Sequence, residues 1–467
     1  MSQIEINGAG VTSKRSSGHI KARLTRLNDL TFWVMLAVLA LTPIPFGSAR
    51  PFFWGLAAII VGLWTAAYMA SMLAMQQNLR IGFEKFGVQT LLAALFCLWL
   101  VVQMLPLGLT SVQLADGVSL PVPTISLAPG ATVLMLIRQL TYGLFFFLML
   151  QVSANESRRR LLFDILLGVI VAYGVYGLVS LHSGDTILGL EKWAYNGYAT
   201  GTFVNRNSFA TFLAMGGVIA AARIGKLLSD SAAAHPDDGR PRHLRGNLLL
   251  YGLAYVWLAA VVLSTGSRMG LFVTVLGAVL AVAIALRRTR RLSVLALIVP
   301  MALAVLVAVM VFFGSALFER LGDLDASSDA RWDLYRQIWQ LIMQRPLTGF
   351  GGGAFELAFP IIHQAPVNSD LIWSRAHNSY LALWAETGLI FGTLPLIAIG
   401  LIGARLAITV ARKRGHLESQ AIALGVLGVG GVHSLVDFSL EIPANTFVFL
   451  ALLAAGAAST VNLKASR

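Results

Sequence analysis

The chain has 467 residues, of which 57% are hydrophobic and only 12% charged, with a mean hydropathy of +0.74. Soluble domains carry about 25% charged residues, so this composition excludes a disordered chain, a secreted disulfide scaffold and an ordinary cytosolic enzyme, and it indicates a polytopic α-helical membrane protein. The single cysteine, Cys97, excludes an internal disulfide and a cysteine-based metal site; 35 basic against 22 acidic residues leave a formal +13 whose meaning depends on placement.

In chain order, residues 1–29 are polar and basic and read as a cytoplasmic tail without signal-peptide architecture. Apolar runs close to the length of a membrane span then occur at 30–47, 52–75, 88–105, 132–152, 161–182, 208–224, 247–264, 270–286, 292–314, 386–404, 420–437 and 445–461. Spanning strands would alternate in polarity, whereas these runs are continuous, so the expected fold is all-α with about twelve transmembrane helices. Spans one to nine occupy 30–314 and spans ten to twelve occupy 386–461; residues 462–467 form a second cytoplasmic tail. With the N-terminus inside, 25 of the 35 Lys and Arg residues fall on inner segments, which orients the bundle with both termini cytoplasmic. Most of the positive charge is therefore an orientation signal. The bilayer is the expected partner and nucleic acid is not.

The polar segment 225–246 reads as an inner connector, and 315–385 is a large outer loop able to form a subdomain. Within it, Trp332, Tyr335, Ile338, Trp339 and Ile342 recur at helical spacing, with Asp329 as a candidate cap and Pro346 as a stop. The acidic residues Glu319, Asp323, Asp325, Asp329 and Asp333 match no calcium loop and read as a solvated face. No metal site and no cofactor is expected.

The few basic residues on the outer side carry the chemical information. In Gly201-Thr202-Phe203-Val204-Asn205-Arg206-Asn207-Ser208, the asparagines suit a turn or a helix cap, and Arg206 stands at the outer mouth of the bundle. In Ser264-Thr265-Gly266-Ser267-Arg268, a very short turn confines Arg268 between two spans. A guanidinium forks onto phosphate oxygens, and the hydroxyl of Ser267 adds a donor, so this turn suits a diphosphate; snorkelling to lipid is the alternative. Gly349-Phe350-Gly351-Gly352-Gly353 is either a phosphate cradle or a sharp turn. Arg375-Ala376-His377-Asn378-Ser379-Tyr380 offers His377 as a general base, with Glu386 nine residues on to orient a helix end or the histidine. His433 and Asp437, four residues apart, read as sharing one helix face, either functionally or as an internal polar pair.

The segments GTFVNRNSFA, STGSRMG, RWDLYRQIWQLIMQRPLTGFGGGAF, AHNSYLALWAETG and HSLVDFSLEIPAN, in this order and on this side of the membrane, resemble the O-antigen ligase and polymerase superfamily across roughly residues 195–450. The resemblance implies a bacterial inner-membrane enzyme with a periplasmic active site. It would transfer a glycan from undecaprenyl diphosphate to a hydroxyl acceptor, either lipid A core or another lipid-linked glycan, by a metal-independent inverting reaction. It also implies that Arg206 and Arg268 engage the diphosphate and that His377 activates the acceptor. Many relatives have histidine where this chain has Ser208. Exopolysaccharide polymerases and protein O-oligosaccharyltransferases share these motifs. A polysaccharide transporter or flippase, or a non-catalytic scaffold, is the competing class.

Overall fold

In the computed structural model, residues 6–113, 118–233, 242–288, 325–412 except 369 and 371, and 414–461 are described. Fourteen helices run through these residues: α1 (Ile6–Leu41), α2 (Pro51–Ala74), α3 (Gly87–Met104), α4 (Pro129–Ser153), α5 (Glu156–His182), α6 (Arg206–Ala233), α7 (Arg242–Ser264), α8 (Arg268–Ala285), α9 (Asp325–Gln344), α10 (Phe355–Ala358), α11 (Ser379–Thr387), α12 (Leu389–Ala411), α13 (Leu417–His433) and α14 (Pro443–Ala458). Two short antiparallel hairpins, β1–β2 (Thr110–Gln113 with Ser119–Val122) and β3–β4 (Thr186–Ile187 with Leu190–Glu191), decorate loops at one end.

Among the described residues, nine helices are long and apolar enough to cross a membrane: α1 to α8 and α12. The chain is thus an all-α, multi-pass membrane protein. The expected eleventh and twelfth crossings, α13 and α14, are shorter, at 17 and 16 residues. The span expected at 292–314 lies outside the described residues. The expected N-terminal tail is helical from Ile6 onward, and the crossing at 386–404 begins at Leu389, after a break at Gly388 with φ 79°.

Helix α6 is the centre of the bundle: 94% of its apolar stretch is buried, against 17% for α7. It packs on α5, α7, α8, α13 and α14. Small residues permit this closeness. A Cβ on Gly270 of α8 would lie 2.4 Å from Ala210 of α6, and one on Gly456 of α14 would lie 2.2 Å from Ala423 of α13. Lipid contact falls on α2 and α7, where residues such as Leu63, Leu250 and Val256 are exposed.

One end of the bundle is tied by charge. Arg223 of α6 donates to Glu418 at 2.6 Å and pairs with Asp164 at 2.8 Å, while Arg158 pairs with Asp29 at 2.7 Å. Glu418 sits in the first turn of α13, where the helix dipole favours an acid. Removing one partner of a buried pair leaves the other charged and unmatched. Arg223→Ala is therefore expected to cost ~3–5 kcal/mol, measured as thermal unfolding in detergent, and Glu418→Gln in the same chain should restore part of the loss.

At the other end, residues 325–388 build a second small core from Leu334, Ile338, Leu341, Ile342, Phe355 and Phe359. Helix α9 starts at Asp325, before the expected cap Asp329, and stops at Gln344, just before Pro346. Its inward face is Leu334, Ile338, Leu341 and Ile342, whereas Trp332 and Trp339 point outward.

Candidate functional site

The glycine-rich segment turns out to be a junction. Gly349 and Gly351 take φ of 66° and 108°, and a Cβ on Gly351 would lie 2.1 Å from Ser126 Oγ. Its amides are already committed: Phe350 N–H donates to Ala385 O, Gly351 N–H to Glu386 O and Gly352 N–H to Gln103 Oε1. The segment therefore locks α11 to α3 and the 123–128 loop, and the cradle alternative falls, because the N–H groups a phosphate would need are spent on carbonyls.

His377 lies just before α11 with φ 51°, a left-handed conformation that costs energy outside glycine and recurs at functional sites. Several contacts hold it there. Tyr335 Oη donates to His377 O at 2.8 Å. Asn378 caps α11 by accepting from Tyr380 N–H and Leu381 N–H at 3.0 Å each, and its own amide donates to Leu435 O at 2.8 Å. The imidazole is wedged edgewise between the rings of Trp373 and Phe438, at 5.9 and 5.2 Å between centroids. Burial holds its pKa below the ordinary 6.5; the charge of Asp437 opposes this, and Arg331 and Arg375 reinforce it. The ring is thus neutral, a proton acceptor, at physiological pH.

Asp437 is buried at 1% exposure, and that burial raises its pKa. Its carboxylate accepts from Asn207 Nδ2 at 3.3 Å and from the Ser439 hydroxyl. His433 and Asp437 do not share a helix face. Helix α13 ends at His433, and the chain tightens into a turn through Leu435 N–H to Val432 O and Val436 N–H to His433 O. His433 instead bonds Thr211 of α6, tying two helices, while Asp437 lies within electrostatic reach of His377.

Asn205 caps α6: its Oδ1 accepts from Asn207 N–H at 2.7 Å and Ser208 N–H at 3.2 Å. The next residue, Arg206, stacks over Tyr198 at 4.3 Å and Tyr195 at 5.6 Å. A Cβ on Gly266 would lie 3.2 Å from Arg206 Nη1, so the Arg206 guanidinium rests against the turn that carries Arg268. Arg268 itself is exposed at the start of α8. The Ser267 hydroxyl accepts from Gly270 N–H at 3.1 Å as the cap of α8, so its oxygen shapes the turn rather than lying open to a ligand.

Arg375 pairs with Glu441 at 2.9 Å, and Ser379 Oγ donates to the other oxygen of that carboxylate at 3.1 Å. Glu386 is at the far end of α11 from His377, roughly 12 Å along the axis at 1.5 Å per residue. It does not orient the histidine. Enclosure pushes its carboxyl up to about 7 from 4.5. The neutral form is thus favoured in the fold, so the stability tied to it is complete below pH 4.5 and is lost as pH rises through about 7. Because the side chain borders a cavity where water screens it, Glu386→Gln is expected to gain ~1–2 kcal/mol at pH 8 and little at pH 4.5, read from melting temperatures at the two pH values.

Two cavities flank Arg375. One, of about 580 Å³, is lined by Tyr195, Asn205, Ser208, Trp373 and His377; the other, of about 730 Å³, reaches down between α4 and α12. Ala49, Arg50, Ser374 and Arg375 border both.

Residues 253–397 match a family model described as O-antigen ligase. Over this stretch the chain is similar to the O-antigen ligase family. The match takes in Arg268, Arg375, His377, Asn378 and Glu386, and it spans roughly a third of the chain. No curated protein matches the chain. The match supports an O-antigen ligase or polymerase type of function, a glycosyltransferase-like activity and lipid-linked glycan partners in a membrane. The matched stretch meets the rest of the site across the bundle: Arg206 and Asp437 lie outside it yet border Gly266 and Ser379 inside it.

Sequence reasoning missed the Tyr195 and Tyr198 sleeve around Arg206, although two tyrosines flanking Asn196-Gly197 just before that arginine are a readable signal. It also missed Asn445, whose amide donates to Ser208 O and Ser439 O at 2.9 and 3.0 Å and so joins α14 to both halves of the site.

Proposed function

We propose that the protein transfers a glycan from undecaprenyl diphosphate to a hydroxyl acceptor, lipid A core or another lipid-linked glycan, at the periplasmic face of a bacterial inner membrane, with both termini in the cytoplasm. The observation that carries this reading is the half-buried, neutral His377 within electrostatic reach of Asp437, on the same end of the bundle as Arg206 and the Arg268 turn.

In the reaction, His377 takes the proton from the acceptor hydroxyl as its oxygen attacks the anomeric carbon. The new carbon–oxygen bond forms as the bond to the diphosphate breaks, and the undecaprenyl diphosphate leaves with that electron pair, inverting the anomeric centre. Asp437 stabilises the imidazolium. Arg206 and Arg268 neutralise the charge that builds on the diphosphate, fixed in place before the reaction; this is electrostatic stabilisation that needs no metal ion. Asn205, Asn207, Ser267 and Asn378 hold the backbone that presents these groups, Arg375 borders the acceptor path, and His433 braces α13 against α6.

Glycan gels from a deletion strain test the assignment. Polymer lost from lipid A while lipid-linked polymer accumulates identifies a ligase, and a single repeat unit identifies a polymerase. An unchanged glycan profile overturns the proposal.

A further inference from the structure

The larger cavity, of about 730 Å³, has no part in the proton transfer or in diphosphate binding, yet it adjoins His377 through Ser374 and Arg375. Its size is that of a ligand pocket, and its lining is of two chemistries. The polar part has three arginines, Arg50, Arg138 and Arg375, and three acids, Glu356, Glu386 and Glu441. Their formal charges cancel, and Arg375 is already paired with Glu441 at 2.9 Å. A phosphate would meet as much repulsion as attraction there. Interleaved forks and carboxylates instead match a dense array of hydroxyls, each of which both donates and accepts. Ser379, Thr446 and Tyr380 add hydroxyls, and Trp54 adds an aromatic face. Near neutrality Glu386 supplies a donor as well as an acceptor. Much of the remainder is hydrocarbon, including Leu134, Met135, Pro395, Leu396, Ile399 and Leu427. These belong to α4, α12 and α13, helices of the bundle.

We propose that this cavity is the acceptor site, holding a lipid-linked saccharide with its sugar among Arg138, Arg375, Glu386 and Glu441 and its hydrocarbon along Leu396, Ile399 and Leu427. The assignment rests on the transfer reaction proposed above. It divides the substrates between two flanks, the donor diphosphate on the Arg206–Arg268 side and the acceptor on the α4–α12 side, with Arg375 between them. An acceptor hydroxyl leaving the cavity past Ser374 arrives at the wall that carries His377.

Photolabelling of the full chain in nanodiscs tests this directly, using a dodecyl maltoside with a diazirine in its alkyl chain beside a phosphatidylglycerol with the same label. The maltoside is expected to mark peptides of α4 and α12, and excess unlabelled dodecyl maltoside should chase it. Its apparent affinity should fall about tenfold in Arg138→Leu, a loss of ~1.4 kcal/mol. Leu396→Trp, which fills apolar lining without removing a charge, should lower it as well. His377→Asn should label like wild type, so a failure of the transfer reading is distinguishable from a failure of the site. Equal, chaseable labelling of α4 and α12 by the phosphatidylglycerol, or maltoside labelling no stronger there than on the lipid-facing α7, overturns the proposal. In transfer assays, Arg138→Leu and Leu396→Trp should raise the acceptor KM and leave the donor KM unchanged; a rise in donor KM alone assigns the cavity to the donor and overturns it.

Discussion

His377→Asn is expected to lower glycan transfer by ~10²–10⁴-fold, the contribution of a positioned base, with membrane insertion and thermal stability retained. Asparagine is the informative replacement because it tolerates the left-handed backbone at φ 51° that position 377 adopts, so the change removes the imidazole without adding strain. In the wild type, burial keeps the ring's pKa below 6.5, and the proposed reaction uses the neutral form. The rate should thus be flat through neutral pH and fall tenfold per pH unit only on the acid side, below 6.5. Wild-type transfer by the asparagine variant, or a rate that climbs as pH drops, would remove His377 from the reaction.

The second large effect is expected at Arg268. In the proposed reaction its loss takes a positive charge from the place where the leaving diphosphate gathers electrons, and such donors are worth ~10²–10³ in rate. Arg268→Ala should show that loss in kcat/KM. Arg268→Lys should recover only part, since an ammonium keeps the charge but not the two-pronged geometry. Arg206→Ala is expected to behave similarly, with a further loss of stability from its stacking on Tyr195 and Tyr198. Full transfer by Arg268→Ala would overturn the diphosphate role.

What was legible in the sequence follows from which forces act locally. Membrane crossings are written as continuous apolar runs, and from α1 to α8 the observed helices follow them. Asn205 was readable as a cap because capping is settled within three residues. His433 and Asp437 misled for the opposite reason: their spacing fits one helix face, but the helix ends between them, and their partners Thr211 and Asn207 lie more than 200 residues away. Glu386 was linked to His377 by proximity in sequence, yet α11 carries it to the other end of its own axis. The glycine segment looked like an anion site because its amides were counted as free, and only the fold shows that Ala385, Glu386 and Gln103 occupy them. The large cavity had no linear signature at all, since its walls come from α2, α4, α11, α12, α13 and α14.

The nearly complete enclosure of α6 also bears on how this chain tolerates change. A helix that touches lipid has one face where apolar residues interchange freely, but α6 has no such face. In a saturation scan, residues 208–224 should therefore appear as an unbroken block of intolerance, while α2 and α7 show stripes. Reporter groups, affinity tags and fusion points belong on those two helices and their flanking turns, and an evolutionary drift of sequence should accumulate there first.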